Sequence, residues 1–190
     1  MAHLPSPGVA RAAPSSRPPN LAVIDGGDRR WKRLTEQANN AYAQGDIPLA
    51  HAAYIDALSE AERLFTAAIK QPGRLPVAVI YNVSCHNLAE LDERNGDSAA
   101  AAAFYRKAYD RLLDTARSPA TPLAIRITCI QHLKPALAAL VQHLRMHGAD
   151  EDAIDGVIHQ VYEAAVGVFR VARHAEYAGD DCPHCPIVPS

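Results

Sequence analysis

A turn signal that occurs three times at nearly equal spacing most constrains what this chain can fold into. The signals are Gly45-Asp46, Gly96-Asp97 and Gly148-Ala149-Asp150. Glycine ends a helix without strain because it enters the left-handed region, and an aspartate just beyond it caps the free amides of the next helix. The glycines recur about every 50 residues, and a turn repeated at a fixed period is typical of stacked helical hairpins.

Apolar residues recur at helical spacing on both sides of each turn, and no stretch between residues 28 and 178 alternates apolar with polar residues as a half-buried strand does. The spacing predicts six helices, at about 29–44, 46–69, 76–95, 97–116, 121–147 and 150–172. We therefore expect an all-α domain of three stacked antiparallel hairpins over residues 28–178. Pro135 lies inside the fifth predicted helix and removes one backbone donor, so we expect a kink or a break near Lys134.

The two ends of the chain differ in composition from this helical part. Five of the 14 prolines precede residue 20, which predicts a disordered tail over residues 1–27. Residues 179–190 form a second, short tail that contains the sequence Cys-Pro-His-Cys. No apolar run is long enough for a signal peptide or a membrane helix, which predicts a cytoplasmic protein without membrane contact. The formal charge of -2 disfavours a nucleic-acid partner.

Small residues at fixed places in each hairpin resemble the pattern of the tetratricopeptide repeat family. The first hairpin matches best, with Ala38, Ala41, Gly45, Ala50, Tyr54 and Ala57. The second offers Leu88, Ala89, Gly96, Ala101, Tyr105 and Ala108, and the third more loosely offers Leu140, Val141, Leu144, Gly148, Ala153 and Val157. The resemblance covers residues 29–175. The period exceeds the family's usual value of about 34 residues, so longer helices are expected.

The resemblance implies an interaction scaffold in which the first helix of each pair lines a concave face that binds a peptide or a partner protein. The residues predicted to line that face include Trp31, Asn39, Tyr42, Asn82, His86, Glu90, Glu93 and Arg145. Two alternatives stay open: an ordinary solvated surface, or a face covered by a second copy in a homodimer. No phosphate-binding glycine loop, dinucleotide fingerprint or nucleophile elbow is present, so no enzymatic activity is expected.

Cysteines and histidines support a second hypothesis, a protein that binds zinc or copper. The two-residue spacing of the tail cysteines lets one ion receive both thiolates, and a helix residue three positions after another lies within roughly 60° of it. The preferred ligands are Cys129, His132, Cys182 and Cys185, with Cys85, His86 or His184 as substitutes. The alternative is that the helix cysteines are buried structural residues, since free cysteine is often buried.

A third arrangement uses only histidines. His143 and His147 lie four residues apart and share a helix face, which suits a divalent metal, and His159 in the next helix is a candidate third ligand. The alternative is a solvated or capping role near the helix end, where a positive imidazole meets the negative end of the dipole.

Overall fold

A computed structural model describes residues 27–177 and shows six α-helices with no strand in that range. They are α1 (Arg29–Ala43), α2 (Ile47–Lys70), α3 (Val77–Arg94), α4 (Ser98–Arg117), α5 (Leu123–Met146) and α6 (Glu151–Tyr177). The prediction of an all-α fold is confirmed, and α6 extends beyond its expected end. Neither α6 nor any other described helix combines the length and the apolar character needed to cross a membrane. The predicted tails fall almost entirely outside the described residues.

The three glycine signals form the connections from α1 to α2, α3 to α4 and α5 to α6. Gly45, Gly96 and Gly148 have φ angles of 78, 83 and 71°, in the left-handed region that favours glycine. The side chain of Asp46 accepts from the amide three residues later at 3.1 Å, and that of Asp97 does so at 2.9 Å. The turn chemistry that the sequence predicts is therefore present at the start of α2 and α4.

Helix packing follows the order of the chain. Every extensive contact within the described residues joins helices that are consecutive or separated by one helix, as α3 with α5 and α4 with α6. Fully buried alanines such as Ala38, Ala50 and Ala108 allow the helices to approach closely. Between α1 and α3, the indole of Trp31 donates a hydrogen bond of 2.8 Å to the Ser84 hydroxyl. These contacts give one continuous apolar core.

Helix α5 runs without a break through Pro135. Proline cannot donate to the carbonyl of the residue four positions earlier, which here is Gln131. Both residues are exposed, so water can satisfy that carbonyl. A break near Lys134 is thus excluded, because packing of α5 against α4 and α6 holds the helix on both sides of the proline.

Candidate functional site

Three turn-proximal side chains meet where α3, α4 and α5 pack. Glu93 Oε1 lies 3.2 Å from His143 Nδ1 and 3.8 Å from His147 Nε2. One potential ligand atom from each of these residues lies within 4.8 Å of the others. The Tyr105 hydroxyl of α4 donates to the second oxygen of the carboxylate, Oε2, at 3.0 Å. We call Glu93, His143 and His147 the imidazole–carboxylate cluster.

The exposure of the cluster's side chains increases from His143 through Glu93 to His147. The His143 side chain is 5% exposed, that of Glu93 27% and that of His147 45%, so an ion has a way in past His147. The rings of His143 and His147 are 4.3 Å apart, and the Tyr105 ring lies 5.3 Å from His143. Burial, and then the bond to Glu93, raises the pKa of Tyr105, which keeps its hydroxyl protonated as a donor.

His86 extends this row of rings along α3. Its ring lies 5.7 Å from that of Tyr105, and its Nε2 atom is buried without a hydrogen-bond partner among the described residues. Burial lowers the pKa of His86, because the charged imidazolium is costly away from water. Asn82, one turn earlier on α3, also has a buried oxygen without a partner.

The residues predicted to bind a partner divide between core and surface. Trp31 and Asn82 lie in the core, unlike the expected lining positions, because they sit where α1 and α3 meet their neighbours. Asn39 and Glu90 are exposed, and Tyr42 is half-buried.

Two hydrogen bonds hold the side chains of the partner-binding candidates Asn39 and Tyr42 at the surface. Asn39 accepts from the Tyr54 hydroxyl at 2.7 Å, and Arg94 donates to the Tyr42 hydroxyl at 2.6 Å. These aromatic residues, together with Glu90, surround a cavity of about 50 Å³. Arg145 instead lies 3.6 Å from Glu151 of α6. The cavity is small and gives no support to peptide binding, which stays a prediction for this face.

The predicted thiol ligands are not in a ligating environment. Cys85 and Cys129 are fully buried, and burial raises the pKa of both thiols to about 12. A metal requires the thiolate, which such burial disfavours. His132 is half-buried, and burial lowers its pKa. Because Cys182, His184 and Cys185 lie outside the described residues, the four-ligand set remains a prediction.

The sequence identified two members of the imidazole–carboxylate cluster but not the third as their partner. His159, the expected third ligand, lies 3.4 Å from Glu163 on its own helix and does not join the cluster. Glu93 was placed on the partner-binding face instead. The available signal is that Glu93 and His147 each lie within three residues of a turn glycine, at the ends of two helices, α3 and α5, that are in contact.

A second surface feature lies between α5 and α6. An open groove of about 810 Å³ is lined mainly by apolar side chains, among them Ile127, Ile130, Val168 and Phe169. We call it the α6 groove. Two of its lining residues are strongly exposed, Tyr162 at 67% and Phe169 at 63%. Large apolar side chains with this exposure on one helix mark an interaction surface more often than ordinary solvated surface.

The fold and the cluster define an all-helical protein with an imidazole–carboxylate group at the junction of three helices. Within that class, the chain belongs to the family described as protein of unknown function (DUF2753), whose family model matches residues 29–170. The chain gives no match to the tetratricopeptide repeat family, so that resemblance stays a prediction. No curated protein and no solved structure matches the chain. The matched residues include the whole imidazole–carboxylate cluster.

Proposed function

We propose that the protein is a helical-repeat interaction module that pairs with a second copy of itself through α6. The observation that carries this proposal is the exposed apolar surface of α6 beside the α6 groove. This surface is a better candidate than the polar face of α1 and α3, because Trp31 and Asn82 of that face are buried and its cavity is small.

We also propose how the six helices are arranged: as three stacked antiparallel hairpins, similar to tetratricopeptide repeats. Its support is the positive φ of Gly45, Gly96 and Gly148 at alternate connections, and helix contacts that join near neighbours in the chain. In such arrays each hairpin buries an apolar face against the next one. An uncovered apolar helix face at the edge of an array is therefore suited to association.

The apolar residues on α6 follow the spacing of a helix-pairing seam. Ile158, Tyr162, Ala165 and Phe169 are separated by four, three and four positions, which aligns them on one face of the helix. The buried residues Val157, Ala164 and Val168 occupy a different face. A seam of this kind buries its apolar side chains against a second helix of similar pattern.

Charge on α6 favours a second copy as that helix. Exposed Glu151, Asp152 and Asp155 lie in its first half, and exposed Arg170 and His174 lie in its second half. A two-fold axis between Tyr162 and Ala165 makes the paired helices antiparallel, so acidic halves face basic halves. The same operation sets Ile158 against the partner subunit's Phe169. The apolar contacts therefore favour this register, and the charges of the two halves favour the antiparallel direction.

Sedimentation equilibrium from low to high micromolar concentration tests the pairing. The full chain is expected to form dimers, and Phe169→Glu is expected to sediment as a monomer with unchanged helical circular dichroism, because a charge in the seam cannot be buried unpaired. The matched control is Val171→Glu, because Val171 is also an exposed apolar residue but lies on another face of α6. It should dimerise as the wild type does.

A charge exchange tests the register. Asp155→Lys should weaken the dimer, and adding Arg170→Glu to it should restore association, because the two residues lie two positions apart across the pair and again carry opposite charges. A wild-type chain that sediments as a monomer at every concentration contradicts the proposal. So does a Phe169→Glu variant that still forms dimers.

A further inference from the structure

We propose that the imidazole–carboxylate cluster of Glu93, His143 and His147 is a binding site for one divalent zinc ion. The site is independent of the α6 surface and of the cysteine set that the sequence suggested. Two imidazoles and one carboxylate are a ligand set that zinc accepts, and they leave a fourth position for water or another ligand.

Two of the three separations between the candidate ligand atoms are close to those that zinc imposes. Ligand atoms at zinc distance in a tetrahedral site lie roughly 3.4 Å from one another. Glu93 Oε1 is 3.2 Å from His143 Nδ1 and 3.8 Å from His147 Nε2. The two imidazole donor atoms lie within 4.8 Å of each other, so rotation of the exposed His147 side chain can bring the three atoms around one ion.

The backbone fixes the relative positions of the ligands. His147 is the C-cap residue of α5, one helical turn after His143, and Glu93 projects from α3, which packs directly against α5. His143 is held by burial, so its rotamer freedom is already lost in the fold. Binding an ion thus needs ordering only of the more exposed His147.

Tyr105 supplies the orientation that metal-binding carboxylates usually require. Its hydroxyl donates to Glu93 Oε2 at 3.0 Å, which directs Oε1 toward both imidazoles. Hydrogen bonds from such outer residues fix the direction of a ligand's lone pairs. A purely structural ion pair between Glu93 and His143 needs neither this bond nor His147. The four residues together therefore favour a metal site over a buried ion pair.

Isothermal titration of zinc chloride into the full, tag-free chain after treatment with a chelator tests the site. The parent for these titrations is the Cys182→Ser, Cys185→Ser double variant, because the tail thiols are themselves zinc ligands by type. This parent should bind one equivalent of zinc. His147→Ala should weaken binding by more than the roughly 10- to 100-fold that loss of an orienting residue costs.

His159→Ala is the matched control, because His159 is also an exposed histidine 3.4 Å from a glutamate and lies outside the cluster. Its zinc affinity should equal that of the parent. Glu93→Gln is a second variant that keeps an oxygen for Tyr105 to donate to but removes the negative charge, and it should also lose affinity.

Proton NMR of the imidazoles gives an independent readout, since zinc should shift the ring signals that disappear in His143→Gln and His147→Ala. The proposal is overturned if the parent binds no zinc, if His147→Ala binds zinc as tightly as the parent, or if His159→Ala weakens binding equally. Thermal unfolding of the metal-free variants separates a lost ligand from a lost fold, because His147 is largely exposed and its removal should leave the melting temperature unchanged.

Discussion

The Tyr105 hydroxyl donates to one oxygen of the Glu93 carboxylate at 3.0 Å, while the other oxygen faces His143 at 3.2 Å. The carboxylate therefore connects α4 to α5 through its own helix, α3. A single side chain thus holds together the polar part of an otherwise apolar junction.

Tyr105→Phe should lower the zinc affinity by about tenfold, because the ring still packs but Glu93 loses the donor that orients it. The free energy of unfolding of the metal-free protein should fall by only about 1 kcal/mol, the usual net contribution of one hydrogen bond. Zinc titration and urea unfolding measure the two effects. Tyr54→Phe, which removes a similar bond to Asn39, is the control and should leave zinc affinity unchanged.

Stability should depend on the protonation of His86. Burial lowers its pKa below the ordinary value of 6.5, so the unfolded chain binds the proton more tightly than the folded one. The stability that neutral His86 contributes is thus complete above pH 6.5 and is lost as the pH falls from there through the folded pKa. For this one group the free energy of unfolding declines by at most about 1.4 kcal/mol per pH unit.

Urea unfolding with a chelator present, at several pH values on both sides of 6.5, measures this dependence. His86→Gln should give a shallower decline below pH 6.5, whatever its stability at neutral pH. Burial also lowers the pKa of His132. The free energy of unfolding of His86→Gln should therefore still decline somewhat below pH 6.5. An unchanged slope in His86→Gln would contradict the prediction, because it would mean that the pKa of His86 is the same in the folded and the unfolded chain.

The two helix thiols should resist modification while the protein is folded. Cys85 and Cys129 are fully buried, and burial raises the pKa of both to about 12, so almost no thiolate exists near neutral pH. In the Cys182→Ser, Cys185→Ser variant, an aromatic disulfide reagent should titrate no thiol until denaturant is added, and two thereafter. Rapid reaction of the native variant would contradict the burial of these residues.

The three turn aspartates should contribute different amounts to the free energy of unfolding. Asp97→Ala and Asp46→Ala should each lower the free energy of unfolding by about 1 kcal/mol, because each removes a cap from the start of a helix. Asp150→Ala should cost less, since its contact to a backbone amide is 3.4 Å long. Urea midpoints of the three variants test this order, and equal losses would contradict it.

Local signals were sufficient to predict the helices and their turns. Gly45, Gly96 and Gly148 require a backbone conformation that few other residues adopt, and the apolar spacing on either side has the helical period, so neither inference needs knowledge of distant contacts. The alternatives at Pro135 could not be decided in this way, because the packing of α5 against its neighbours determines whether the helix continues.

The sites depended on contacts between helices, and there the sequence was a weaker guide. The spacing of His143 and His147 predicted a shared face, but their neighbour Glu93 comes from α3, 50 positions earlier than His143. For Trp31 the sequence predicted a position on the partner-binding face, but the structure shows a buried side chain. Its offset predicted a lining position, while the size of the indole and a hydrogen-bond partner on α3 favour the core.

Trp31 is the only tryptophan in the chain, and its burial against Ser84 makes it an intrinsic optical probe of the α1–α3 junction. Its fluorescence will follow the detachment of α1, whereas far-ultraviolet dichroism averages over all helices. Superimposable melting curves from the two signals mean that the six helices unfold cooperatively, and separated curves mean that α1 detaches in a step of its own.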